Sequence, residues 1–408
     1  MAMKQTQTKL FDFADVGLDF SAGSKNLFPD RFKKMLSLGY NEQTVSSVSV
    51  VGDQVTLTYG GAHGYVADRV LKVNAPELLS INSGEFVIDS VNENTVTMTI
   101  DGAPALISGN FTTKVASFGY DLVYEQANIH VYKFKAIDDT DLFLRLCFQT
   151  GTTGPAAISP CVGRTFDNTS GQITDDKAYV QNTNITAVNA SFLTWMLQQT
   201  STSTPNNYTY NQGFSHYGKA CVVGSPYHLA ILTNGGGSNT WGRICGMFPG
   251  QFISSLNDVF ATKTLILGVN NNNGNSLTAS LVMCGNKSLS FESARAETMV
   301  LSREQASSSF YPDDIEPYQV ASGYMPPIFD KATQQYVGHT VGGLYVMRYG
   351  RTGMPTAQST QTPFFEEIID SNCKAVIHHL TSSTSAVASG SGIYVAYLAF
   401  PVEELKID

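Results

Sequence analysis

The side chains in this sequence that could do chemistry come mostly as adjacent pairs. His378-His379 supplies two imidazoles, Glu366-Glu367 and Asp313-Asp314 supply paired carboxylates, and Asp167-Asn168-Thr169-Ser170-Gly171 with Asp175-Asp176 supplies oxygen ligands at loop spacing. Two imidazoles on one ion, or two carboxylates sharing acid and base duties, must converge on a common centre. Neighbours on an extended chain point to opposite faces, so His378 and His379 read as one buried and one exposed histidine. The Glu and Asp pairs read as solvated charges of a turn or a helix. The Asp167 loop lacks the alternating ligands and closing Glu of an EF-hand, which leaves calcium a minor alternative. Gly235-Gly236-Gly237 is followed by no Lys-Ser/Thr pair and opens no helix, so it is not a phosphate loop. No Gly-x-Ser-x-Gly elbow presents a serine. The expectation is a chain without catalytic residues, cofactor or metal.

Aromatic side chains offer a different chemistry. Tyr208, Tyr210, Phe214 and Tyr217 fall close to Asn206, Asn207 and His216, and Trp241 follows the glycine run. Exposed rings beside amides can stack on sugar rings and hydrogen-bond their hydroxyls, so Tyr208, Tyr210, Tyr217 and Trp241 are the candidate glycan-binding residues. The opposing reading is that in a chain with 19 Tyr and 23 Phe these rings fill cores and interfaces.

The elements that must position such residues are mainly β. Val55, Leu57 and Tyr59 alternate with Thr56 and Thr58, and Val96, Met98 and Ile100 alternate with Thr97 and Thr99, as half-exposed antiparallel strands require. Ile129–Ala136 and Asp141–Gln149 bracket an Asp138-Asp139-Thr140 turn and predict a hairpin. Short apolar runs separated by Gly- and Asn-rich turns continue to the C-terminus, predicting a β-sandwich-like body over residues 105–408, with local helix around Ala190–Gln199 and Phe364–Asp370. The polar tracts Gln198–Gln212 and Thr381–Gly392 read as long loops. Residues 46–104 read as a small β-module. Ahead of it, residues 1–45 read as an arm with a short helix, on which Phe28, Phe32, Met35 and Leu36 form one apolar stripe after Pro29. That stripe either packs on its own domain or docks on an adjacent subunit. Within the module, His63 reads as a lone turn histidine, and Asp68 and Arg69 as surface charges.

Composition limits the partners. Charged residues make up 14% of the chain and apolar ones 42%, so much of the surface is uncharged and polar, which suits subunits packed against neighbours. A net charge of −9 without a Lys/Arg cluster argues against nucleic acid. No apolar run approaches the roughly 18 residues of a membrane helix, and residues 1–10 carry no apolar signal core. The cysteines, Cys147, Cys161, Cys221, Cys245, Cys284 and Cys373, are scattered without metal spacing and read as reduced, buried small hydrophobes.

The module also carries a family likeness. His63-Gly64-Tyr65, the strand Asp68–Val73, Ser83-Gly84-Glu85-Phe86, Ser90-Val91 and Thr95–Ile100 resemble a β-module common in virion proteins of tailed bacteriophages. Phe143–Leu146, Val162–Asp167, Gly342-Gly343-Leu344-Tyr345 and Gly392–Tyr397 look like body segments of the same class of protein. The resemblance implies a structural protein made in the host cytoplasm and located in the virion, at the tail tip or baseplate. Its implied partners are copies of itself and other tail and baseplate proteins. The alternative is a lectin-like receptor-binding module that recognises host surface glycans.

Overall fold

Alternation of Val or Leu with Thr does produce the expected half-buried sheet. The computed structural model describes residues 8–75, 84–107, 111–199, 202–234, 242–256, 258–269, 280–291, 322–348, 363–368, 373–381 and 395–402. Tyr40–Val51 is the central strand of a seven-stranded antiparallel sheet, in the order Glu85–Val87, Val70–Asn74, Phe111–Val115, Tyr40–Val51, Gln54–Tyr59, Thr95–Thr99, Ser90–Val91. Val55 pairs with Met98 and Leu57 with Val96 on the buried face, while Thr56 and Thr97 meet on the other. Cross-strand pairs of this kind fix the register, because a one-residue slip would expose the whole apolar set.

His63 is not a lone turn residue. It is buried, its Nδ1 accepts the Tyr65 N–H at 2.9 Å, and its Nε2 faces the Asn92 and Thr95 carbonyls at 2.9 and 3.2 Å. Two carbonyls can only accept, so the proton sits on Nε2 and the neutral ring ties the 63–65 turn to the 92–95 hairpin. Gly64 between them has φ +71°, and Val16 fills the space a side chain would need. Arg69, read as a surface charge, is likewise buried against Asp15.

The N-terminal segment is woven into the fold. Lys9–Asp12 pairs antiparallel with Cys221–Ser225, far along the chain. Phe13 stacks on Phe20 at 3.9 Å between ring centres, and Phe20, Phe28, Phe32 and Phe148 follow at 5.9–6.2 Å. The expected helix forms over Phe28–Lys33 with Pro29 in its first turn and continues as a π turn over Lys34–Leu38. Phe28, Phe32, Met35 and Leu36 are all 0% exposed within the chain's own core. The stripe is therefore spent on intramolecular packing, which removes it as a docking surface for an adjacent subunit.

The body contains three further sets of strands. Trp195–Gln198, Ala156–Gly163, Asp141–Phe148, Ile129–Lys135 and Asp121–Gln126 form one antiparallel sheet, with the expected hairpin in register Ile129↔Cys147 to Lys135↔Asp141. In the largest sheet, six strands close on themselves: Gly242–Phe252, Thr264–Val269, Ser280–Cys284, Lys287–Phe291, Pro327–Asp330 and Tyr336–Thr340. Closure comes from the long strand Gly242–Phe252, which pairs with Thr264–Val269 through Gly246–Pro249 and, on its other edge, with the last strand through Gly250↔Thr340, Gln251↔His339 and Phe252↔Gly338. The result is a small barrel within the expected mainly β body, and the unpaired edges of these six strands vanish. His228–Asn234, Cys221–Ser225 and Lys9–Asp12 extend the same sheet outward. A fourth sheet orders Ser322–Tyr324, Tyr345–Arg348, Val395–Pro401, Cys373–Thr381 and Phe364–Ile368, and its Val376, Leu398 and Phe400 share a core with Phe248, Leu265 and Leu267.

Both segments expected to be helical are strands instead. Trp195–Gln198 pairs with Ala156–Ile158, and Phe364–Ile368 with Cys373–Ile377, so neighbouring strands override weak local preference. A helix at Tyr210–Tyr217 occupies part of what was read as loop and aromatic platform. Its start is signalled by Thr209 and Gln212, which form a capping box.

Candidate functional site

Strand crossing at the mouth of the barrel leaves a groove. Gly250–Phe252 pairs there with Gly338–Thr340 and completes the barrel wall. Gly338 is required at this point, since a Cβ would sit far inside contact distance of the Gln251 carbonyl oxygen. Phe252 stacks on Phe260 at 4.3 Å and forms a buried floor. Above it opens a volume of about 590 Å³, lined by Ile137 from the hairpin turn, by Gln251, Ile253 and Ser254, by Lys263, and by Tyr336 and His339. Three of the large apolar residues that stand exposed meet around this groove: Ile137 at 40%, Ile253 at 42% and Tyr336 at 48%.

The polar groups on the rim are held in place. The Tyr336 hydroxyl lies 3.2 Å from His339 Nδ1, and Phe329 packs edge-on to the Tyr336 ring at 5.9 Å. Gln251 and His339 are register partners on adjacent strands. Lys263 has a left-handed backbone, φ +47°, which suits Gly or Asn better, and its carbonyl accepts the Gly250 N–H at 2.8 Å. Its ammonium is 3.8 Å from Asp138, a long and exposed pairing that contributes little. No Asp or Glu lines the groove among the described residues, so its chemistry there is stacking and hydrogen bonding.

The aromatic residues expected to form a glycan platform do not assemble into one. Tyr217 is buried and accepts a hydrogen bond from Gln198 Nε2 at 3.3 Å. Tyr210 is half-buried against Phe214, with burial pushing its hydroxyl above the usual range. Tyr208 is half-buried, and its carbonyl accepts the Ser24 hydroxyl at 2.6 Å. The helix sets the Tyr217 ring against Gly23 and the Tyr210 N–H on Asp19 Oδ1, both in the N-terminal segment, and Trp241 lies outside the described residues.

No protein-family model matches this sequence, and no curated protein matches it. Among solved structures the chain is similar to a phage phi92 endosialidase, over 90% of this chain and 51% of that one, at 11% identity and a TM-score of 0.14. The chain thus spans about half the length of that relative. A TM-score of that size carries no argument for a shared fold, site or activity.

Several other titratable groups among the described residues serve structure. Arg145 is fully buried and donates from Nε to the Gly171 carbonyl at 2.9 Å and from its terminal nitrogens to the Asn182 and Ile185 carbonyls, stapling the 171–185 loop to its sheet. Cys147, Cys161, Cys221, Cys245 and Cys284 are free and buried. Burial pushes the Cys147 thiol up to about 11 and those of Cys161, Cys245 and Cys284 up to about 12, so they stay protonated and unreactive. His378 is buried and its Nε2 reaches the Thr233 carbonyl at 2.9 Å, which joins the last sheet to the barrel sheet. Asp167 caps its own turn, accepting from Thr169 N–H and the Ser170 hydroxyl at 2.9 and 2.6 Å. Among the described residues no group of three His, Cys, Asp or Glu could hold a metal, and no helix is long and apolar enough to cross a membrane.

Proposed function

We propose that this chain is a non-enzymatic structural subunit of a tailed-phage particle, assembling in several copies at the tail tip or baseplate and linking tail proteins or fibres. The resemblance of the 46–104 module to phage virion modules supports this reading. The observation that carries it is a charge-poor surface from which large apolar side chains protrude. Val51 and Leu106 are 74% and 76% exposed, Val51 at the turn between Tyr40–Val51 and Gln54–Tyr59 and Leu106 in the segment after Ile100, whose N–H donates to the Asp53 carbonyl in that turn. Isolated apolar side chains on a surface are ordinary, but a ring of identical copies multiplies each weak contact they make. Few ions would have to be desolvated in forming it. With the Phe28 stripe buried, the module tip takes over the docking role first expected of the arm.

Light scattering and negative-stain imaging of the purified chain test the reading. The expected result is a ring or other closed oligomer that Val51→Asp with Leu106→Asp converts to monomer without lowering the melting temperature. A strict monomer that fails to incorporate into particles would sink it.

A further inference from the structure

We propose that the groove at the barrel mouth is a saccharide-binding site, with Tyr336 as the stacking platform and Gln251, Lys263 and His339 as the hydrogen-bonding rim. This goes beyond the virion reading and does not rest on it. Three observations converge. The volume of about 590 Å³ is within the range of small-molecule sites and is large enough for one or two sugar rings. Tyr336 is half-exposed, yet its ring is set by Phe329 on its edge and its hydroxyl by His339, so a ring face is presented at little cost in side-chain freedom. Ile137 and Ile253 supply the apolar flanks that the C–H faces of a pyranose would cover.

The donors and acceptors fit the same ligand. Gln251 offers both a carbonyl and an amide, and the Lys263 ammonium offers donors. With the Tyr336 hydroxyl donating to Nδ1, His339 offers its Nε2–H to a sugar oxygen. Ser254 adds a hydroxyl at the groove's edge. A strongly anionic polymer fits less well, because the chain carries a net charge of −9 and the groove holds a single lysine. Lys263 stands at a left-handed backbone position, φ +47°, which is costly for a residue with a side chain.

A glycan microarray probed with the fluorescently labelled full chain tests this. Wild type is expected to retain at least one glycan, Tyr336→Ala to weaken that retention about tenfold, as loss of one stacking contact does, and Lys263→Gln to weaken it less. Tyr210→Ala, outside the groove, should leave retention unchanged. Thermal melts of each variant exclude unfolding as the cause. Absence of any retained glycan overturns the proposal, as does retention that Tyr336→Ala leaves intact. So does a fall in oligomer mass caused by Tyr336→Ala, since the groove would then be covered by a second copy of the chain.

Discussion

Arg69 grips Asp15 as a fork: Nε lies 2.8 Å from Oδ2 and the terminal nitrogen 2.9 Å from Oδ1, across 54 positions of sequence. The Tyr40 hydroxyl donates to the same carboxylate at 2.7 Å, and the Asp12 N–H approaches it at 3.1 Å. Both partners are 7% exposed, so the pair joins the N-terminal segment to the module sheet away from water. Arg69→Ala leaves Asp15 charged and buried, with an expected loss of about 3–5 kcal/mol in urea unfolding. Replacing both partners by apolar residues should recover most of that loss. An Arg69→Ala variant as stable as wild type would show the pair to be incidental.

Phe32 tests the arm directly. It is 0% exposed and bridges Phe28 to Phe148. Phe32→Ala should therefore lower the stability of the isolated chain by about 3–5 kcal/mol, at any protein concentration. A variant with wild-type unfolding that fails only in assembly would restore the arm as a docking device.

These two contacts mark where sequence stops being legible. Periodicity reports which face of a local segment is greasy, so the strands around Leu57, Val96, Val131 and Leu144 and the helix at Phe32 could be read from residue types. It does not report what the greasy face meets. The Phe28 stripe looks the same whether it packs on Phe148 or on another subunit, and Arg69 looks like any strand-end charge until Asp15 folds back onto it. The groove was hidden for the same reason. Its residues come from segments around 137, 251, 263 and 338, and only barrel closure brings them together. The missed helix is different, because Thr209 and Gln212 signalled it locally and the surrounding Asn and Ser masked the cue.

Barrel closure has its own test in Gly338. Any side chain there collides with the backbone at Gln251, which cannot yield as a flexible side chain would. Gly338→Ala is expected to cost about 1–3 kcal/mol or more, as overpacking does. It should also open the groove, seen as faster hydrogen exchange at Ile253 and Val341, whose N–H groups bond the Val337 and Pro249 carbonyls across the crossing. Gly52, in open space at a hairpin tip with φ +63°, is a control for glycine strain alone. If Gly338→Ala behaves like Gly52→Ala, the close crossing is not what closes the barrel.

Two buried histidines make stability depend on pH. Burial lowers both His130 and His228 to about 4, with Glu125 opposing the shift at His130. His130 Nδ1 is 2.8 Å from the Tyr132 hydroxyl, and His228 Nδ1 is 2.7 Å from the Ser225 hydroxyl, so each neutral ring is used in place. Unfolded histidine titrates near 6.5, so between about 6.5 and 4 the unfolded chain binds more protons than the folded one. Stability is therefore whole above pH 6.5 and is lost as pH falls toward 4, by up to about 3 kcal/mol for each histidine. Melting temperature followed from pH 7.5 to 4 should fall most steeply inside that window. His228→Asn should flatten the lower part of the curve while lowering its plateau, because the ring also packs on Phe248. A slope that survives both His130→Gln and His228→Asn would assign the acid sensitivity to the carboxylates instead.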